Sequence, residues 1–209
     1  MAHTASSQLE HVVGVSNPRL VLASGSPRRA LLLSAAGFTF TSVTPDIDES
    51  IRDQESAAEY VVRLSAEKAA VVTLDPADVV LAADTTVVLD GTILGKPADA
   101  TEAVEMLGAL SGRTHSVLTG WTAFTAGTER FGVSESRVRF HPREPEELVD
   151  YVRRTAPFDK AGAYAIQGDD GWLIARVEGS RSNVMGLPIA DVVNALADLG
   201  VRRSSTDGS

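Results

Sequence analysis

The sequence predicts an α/β fold built on a mixed twisted sheet. Short apolar runs of strand length alternate with longer stretches of helical period. Two hairpins interrupt that alternation, so some neighbouring strands must run antiparallel. A length of 209 residues suits one α/β domain, or two small lobes around a cleft.

The body is expected over residues 19–201, between an N-terminal extension (1–18) and a C-terminal tail (202–209). Leu20-Val21-Leu22-Ala23 reads as a buried strand. After the small turn Ser24-Gly25-Ser26, Pro27 fits the first position of a helix with Ser26 as its N-cap. That helix should reach residue 36, where Gly37 supplies a left-handed end. A strand over 39–43 leads to an acidic loop holding Asp46, Asp48 and Glu49. Residues 56–72 have helical period, with Tyr60, Leu64 and Val71 on one stripe and Lys68 falling on it. Residues 79–83 form an apolar strand that ends in Asp84-Thr85-Thr86, and 87–89 continue in strand style. Asp90-Gly91 is a hairpin turn with 92–94 returning. Gly95-Lys96-Pro97 breaks the pattern before a helix over 101–110, closed by Gly112. Residues 115–126 and 131–140 pair as long antiparallel strands, and 146–154 form a helix. Strands at 164–166 and 172–177 flank Gly168-Asp169-Asp170-Gly171, and 188–199 form the last helix.

Composition narrows the function classes. The chain has no cysteine, which removes a disulfide framework, a thiolate zinc site and a cysteine nucleophile. That composition fits a reducing cytosol. A net charge of −9 makes nucleic acid and anionic membranes poor partners. A phosphorylated ligand would then need a local basic cluster and a bridging metal. The first 18 residues lack a signal-peptide pattern, and no apolar run approaches the ~18 residues that span a bilayer. No serine lies in a Gly-x-Ser-x-Gly context, and Ser24 to Arg29 is not a Walker loop because no Gly-Lys-Ser/Thr follows.

Four constellations can carry chemistry. Ser24-Gly25-Ser26-Pro27-Arg28-Arg29 combines a strand end, a helix N-terminus and two guanidiniums, which suits an anion. It reads equally as an ordinary strand–helix turn with exposed arginines. Asp84 closes an apolar strand at its carboxyl edge, where ligands of open α/β sheets bind, so it can hold Mg²⁺ or take a proton from water. It can also simply cap the turn. The Asp46, Asp48, Glu49 loop offers hard oxygen ligands, or is only a solvated acidic loop. Lys68, Lys96 and Lys160 are few and oddly sited, and together would neutralise a triphosphate. His115 begins a strand with no second histidine at ligand spacing, and reads as a surface or turn residue. Trp121 and Trp172 read as core or edge aromatics, and His3 and His11 belong to the extension.

These motifs, in this order, resemble the Maf family. Residues 22–29, Ala83-Asp84-Thr85, Gly95-Lys96-Pro97, residues 110–115, residues 159–168 and residues 183–188 carry the resemblance, which covers about residues 20–199. The resemblance implies a fold related to inosine triphosphate pyrophosphatases, with two α/β lobes and a central cleft. It implies a homodimer, dependence on Mg²⁺ or Mn²⁺, and cleavage of the α–β bond of noncanonical or pyrimidine nucleoside triphosphates. It links such proteins to septum formation, division arrest and nucleotide-pool cleansing. Carried over by motif, Asp84 would accept the proton, and Glu49 with Asp84 would hold the metal. Ser24, Arg28 and Arg29 would bind phosphates with Lys68, Lys96 and Lys160. Arg28, Thr85 and Gln167 look like the branch preferring dTTP and UTP. The chain departs from the family pattern at Asp169-Asp170, at Arg181-Ser182 and in its long N-terminal extension.

Overall fold

The fold is organised by one long strand that changes partners along its length. The computed structural model describes residues 18–73 and 75–204. Expectations for His3, His11, the rest of the extension before Pro18 and the tail beyond Ser204 lie outside the described residues. The elements are β1 (Leu20–Ala23), α1 (Pro27–Ala35), β2 (Phe40–Val43), α2 (Ala57–Ala70), β3 (Val79–Leu89), β4 (Thr92–Leu94) and α3 (Ala100–Leu110). There follow β5 (Thr114–Thr125), β6 (Thr128–Phe140), α4 (Pro145–Thr155), a 3-10 turn (Ala161–Ala163), β7 (Ile174–Glu178), α5 (Arg181–Val184) and α6 (Ile189–Asp198). The seven strands form one mixed sheet in the order β2-β1-β3-β5-β6-β7, with β4 also on β3.

β3 pairs along one edge with β5 from Val80 to Val88. Its other edge is shared. Val79–Ala82 pair in parallel with β1, and Val87–Leu89 pair with β4 after a tight turn. Asp90 and Gly91 both have positive φ, 50° and 82°, as a two-residue I′ hairpin requires. Residues 83–86 therefore have no ladder partner on that edge. Two cores lie on either side of this gap. One joins β1 and the start of β3 to α1 and α6 through Leu22, Leu33, Leu81 and Leu196. The other joins the end of β3, β5–β7, α3 and α4 through Leu107, Val138, Phe140 and Leu148.

Helix α2 covers the opposite sheet face. Ser56 and Glu59 close a reciprocal capping box at its start, worth about 1 kcal/mol. Its buried positions are Val61, Leu64, Ser65, Lys68 and Ala69, so the stripe turns away from exposed Val71. Gly120 of β5 permits close approach: a Cβ there would lie 2.4 Å from the carbonyl carbon of Val61. Among the described residues, no helix is long and apolar enough to cross a membrane.

Several expectations are corrected. Asp84 does not end a strand. β3 runs on through it, because β5 supports the whole length while only β1 stops. Tyr164–Ile166 is not a strand. Gly162 and Ala163 take φ values of 67° and 61°, and the apolar run owes its burial to the second core, not to a ladder. The short helix α5 was not anticipated. Residues 202–204 are tied to the body: Ser204 N donates to Gly37 O at 2.7 Å.

Candidate active site

A cavity of about 350 Å³ opens at the gap in β3 pairing, within the usual range for a small-molecule site. Its wall takes residues from the β1–α1 turn, the loop before α2, α2 itself, β3, the turn after β4, and the segments around Lys160 and Gly186. It is lined by Arg28, Arg29, Lys68, Lys96 and Lys160 against Glu49, Asp84 and Asp159. Five cations thus face three carboxylates in a chain whose net charge is −9.

Asp84 and Lys68 meet because strand alternation turns Asp84 toward the α2 face, where Val80 and Ala82 already pack. Lys68 Nζ donates to Asp84 Oδ1 at 2.5 Å and approaches Glu49 Oε1 at 2.6 Å. Lys96 Nζ adds 3.0 Å to Glu49 Oε2. Burial pushes the Glu49 carboxyl up, but the two ammoniums outweigh it and hold the group down at about 2. Of the acidic loop, only Glu49 lines the cleft. Asp46 is exposed, and Asp48 caps its own turn by accepting from Ser50 N at 2.9 Å.

Thr85 points to the other face, where Arg29 holds it. Arg29 donates to Gly186 O (2.8 Å), Ser24 Oγ (3.2 Å) and Thr85 Oγ1 (3.1 Å). Each acceptor is neutral, so this guanidinium is built into the wall and spends much of its hydrogen bonding there. Burial draws its pKa down, opposed by nearby Asp84. Thr85 continues to Thr119 Oγ1 at 2.9 Å, and Thr119 donates to Asn183 O at 3.0 Å. Ser24 Oγ also accepts from Ser26 N at 3.1 Å, while Ser26 itself makes no side-chain cap. Arg28 instead leans across the cleft to Asp159 at 3.1 Å, and Lys160 bonds the same carboxylate.

The structure thus brings together Ser24, Arg28, Arg29, Glu49, Lys68, Asp84, Thr85, Lys96 and Lys160. Gln167 is half-buried one residue beyond Ile166, outside the lining. Asp159 was missed, although it directly precedes Lys160 in the motif. Tyr164 was missed as a wall residue because it read as a strand. His115 is buried, not a surface residue: its Nε2 lies 2.8 Å from Tyr164 Oη, and burial lowers its pKa to about 4. Trp121 packs in the first core and Trp172 stacks on Tyr151, in line with expectation.

The residues present fit a hard divalent cation. Glu49 and Asp84 offer carboxylate oxygens at one place in the cleft, and Mg²⁺ commonly takes one or two carboxylates plus phosphate oxygens and water. Among the described residues no group of three or more His, Cys, Asp or Glu forms a metal cage. Binding would therefore draw on the substrate's own oxygens.

A family model described as Maf-like protein matches residues 19–199. A protein of Myxococcus xanthus called dTTP/UTP pyrophosphatase is 50% identical over 183 residues, covering 87% of this chain and 93% of that protein. One of Hahella chejuensis with the same name is 47% identical over 188 residues, covering 88% and 94%. One of Salmonella typhimurium, also so named, is 45% identical over 190 residues, covering 90% and 96%.

Proposed function

Because the chain belongs to the Maf-like protein family, we propose that it is a nucleoside triphosphate pyrophosphatase acting on dTTP and UTP. It cuts the α–β phosphoanhydride bond to give the monophosphate and pyrophosphate. Relatives called dTTP/UTP pyrophosphatase support the substrate. The observation that carries the reading is the cationic cleft around the Asp84–Lys68–Glu49 cluster at the gap in β3.

In the reaction a water oxygen bonds to the α-phosphorus, the bond to the bridging oxygen breaks, and pyrophosphate leaves. Asp84 takes the water's proton. Lys68 occupies one of its carboxylate oxygens, so the other serves as acceptor. Glu49 and Asp84 would hold a Mg²⁺ or Mn²⁺, which would lower the water's pKa and offset phosphate charge. Arg28, Lys96 and Lys160 are the cations with most freedom to turn onto the triphosphate and the charge that develops on the leaving group. Arg29 holds Ser24 and Thr85 in place. Thr85, with Arg28, governs choice of base from the cleft wall; Gln167, outside the lining, takes no part in it as the cleft stands. The protein works as a cytoplasmic homodimer that trims the nucleotide pool and links it to septum formation.

The test is product analysis with Mg²⁺ or Mn²⁺ and dTTP, UTP, CTP, methylated GTP and inosine triphosphate. Pyrophosphate released fastest from dTTP and UTP is expected. Orthophosphate as the primary product would overturn the reaction.

A further inference from the structure

Glu49 sits on a segment that secondary structure does not hold. Residues 44–55 form neither helix nor strand, and most are exposed. Its side chain meets Lys68 and Lys96. An incoming triphosphate competes for Lys96, the more exposed of the two. Something outside the cleft must keep the Glu49 main chain in place while that ammonium turns.

Two side chains of α2 do this. Tyr60 Oη donates to Glu49 O at 3.0 Å. Arg63 Nη2 donates to the next carbonyl, Ser50 O, also at 3.0 Å. The same guanidinium grips both oxygens of Glu55, at 2.5 and 2.7 Å, and reaches Glu67 at 3.2 Å. The Arg63 and Glu55 side chains are only 13% and 9% exposed, so water competes poorly for this fork. The Arg63 guanidinium also lies over the Tyr60 ring, 5.6 Å from its centre. Neither Tyr60 nor Arg63 lines the cavity, so substrate cannot draw them away. Both precede Lys68 on one rigid helix, which references the loop and the ammonium to the same body.

We propose that Tyr60 and Arg63 are positioning residues that fix two consecutive carbonyls of the loop and thereby hold the Glu49 carboxylate in the cleft. This rests on the proposed reaction only where turnover is read.

The experiment uses the full chain with Tyr60→Phe, which removes one hydroxyl, and Arg63→Gln as a second variant. Amide exchange over residues 46–52 should quicken about five- to tenfold in Tyr60→Phe, with the rest of the chain unchanged. Binding of Mn²⁺, followed by its magnetic resonance signal, should weaken by a similar factor. In dTTP turnover the Mg²⁺ concentration for half-activation should rise, while kcat at saturating Mg²⁺ stays within about threefold. Unchanged loop exchange overturns the proposal, and so does faster exchange with unaltered Mn²⁺ affinity. Should the wild type release no pyrophosphate, the reaction assignment falls, and exchange and Mn²⁺ binding still decide this inference.

Discussion

The ammonium of Lys68 lies 2.5 Å from Asp84 Oδ1, at the one stretch of β3 whose edge is left open between β1 and β4. A carboxylate, its counter-ion and an unpaired sheet edge coincide, and the cavity forms there. Asp84→Asn keeps the shape and removes the proton acceptor. Turnover should fall by about 10³-fold or more, with nucleotide binding retained. Near wild-type turnover would remove Asp84 from that role.

Lys68 also sets the ionisation of Glu49, whose carboxyl is held at about 2 against an ordinary 4.5. The folded value is depressed, so this group's stabilisation is present above about pH 4.5 and is lost as pH falls towards 2. Lys68→Met should raise the Glu49 value and move that loss to higher pH. Acid unfolding followed by circular dichroism checks the shift, and an unmoved curve would contradict it.

Arg29 ties Ser24, Thr85 and Gly186 into one wall. Arg29→Lys retains the charge but cannot reach all three acceptors. It should cost about 1–3 kcal/mol of stability and raise KM more than it lowers kcat. Thermal unfolding and steady-state kinetics read both effects. A fall in kcat with KM unchanged would mean that Arg29 acts directly on the transition state.

Gly120→Ala should be severe, because its Cβ would meet the main chain of α2 and not the end of a flexible side chain. A loss of about 4 kcal/mol or more is expected. Chemical denaturation measures it, and a loss under 1 kcal/mol would show that α2 can move aside.

Much of this was legible in the sequence where one residue type sufficed. The Asp90-Gly91 turn, the Pro27 helix start and the strand periods follow from local chemistry. That Ser24, Glu49, Lys68, Asp84 and Lys96 share one cleft came from the family resemblance and not from local chemistry, and all five line the cavity. What was not legible depends on distant partners. Asp84 lies mid-strand because β5 outlasts β1 beside it. Tyr164–Ile166 is apolar for a core and not for a ladder. His115 is buried among the rings of Phe140 and Tyr164, both far along the chain. Arg29 and Arg28 are neighbours with the same side chain, yet one is enclosed by neutral acceptors and the other reaches Asp159. No local pattern separates them.

The most direct test of the account is hydrolysis of dTTP in water enriched in oxygen-18, with the products resolved by mass. Attack at the α-phosphorus places the label in the monophosphate and leaves pyrophosphate unlabelled, as the account predicts. Label in the pyrophosphate would mean attack at the β-phosphorus and would contradict it.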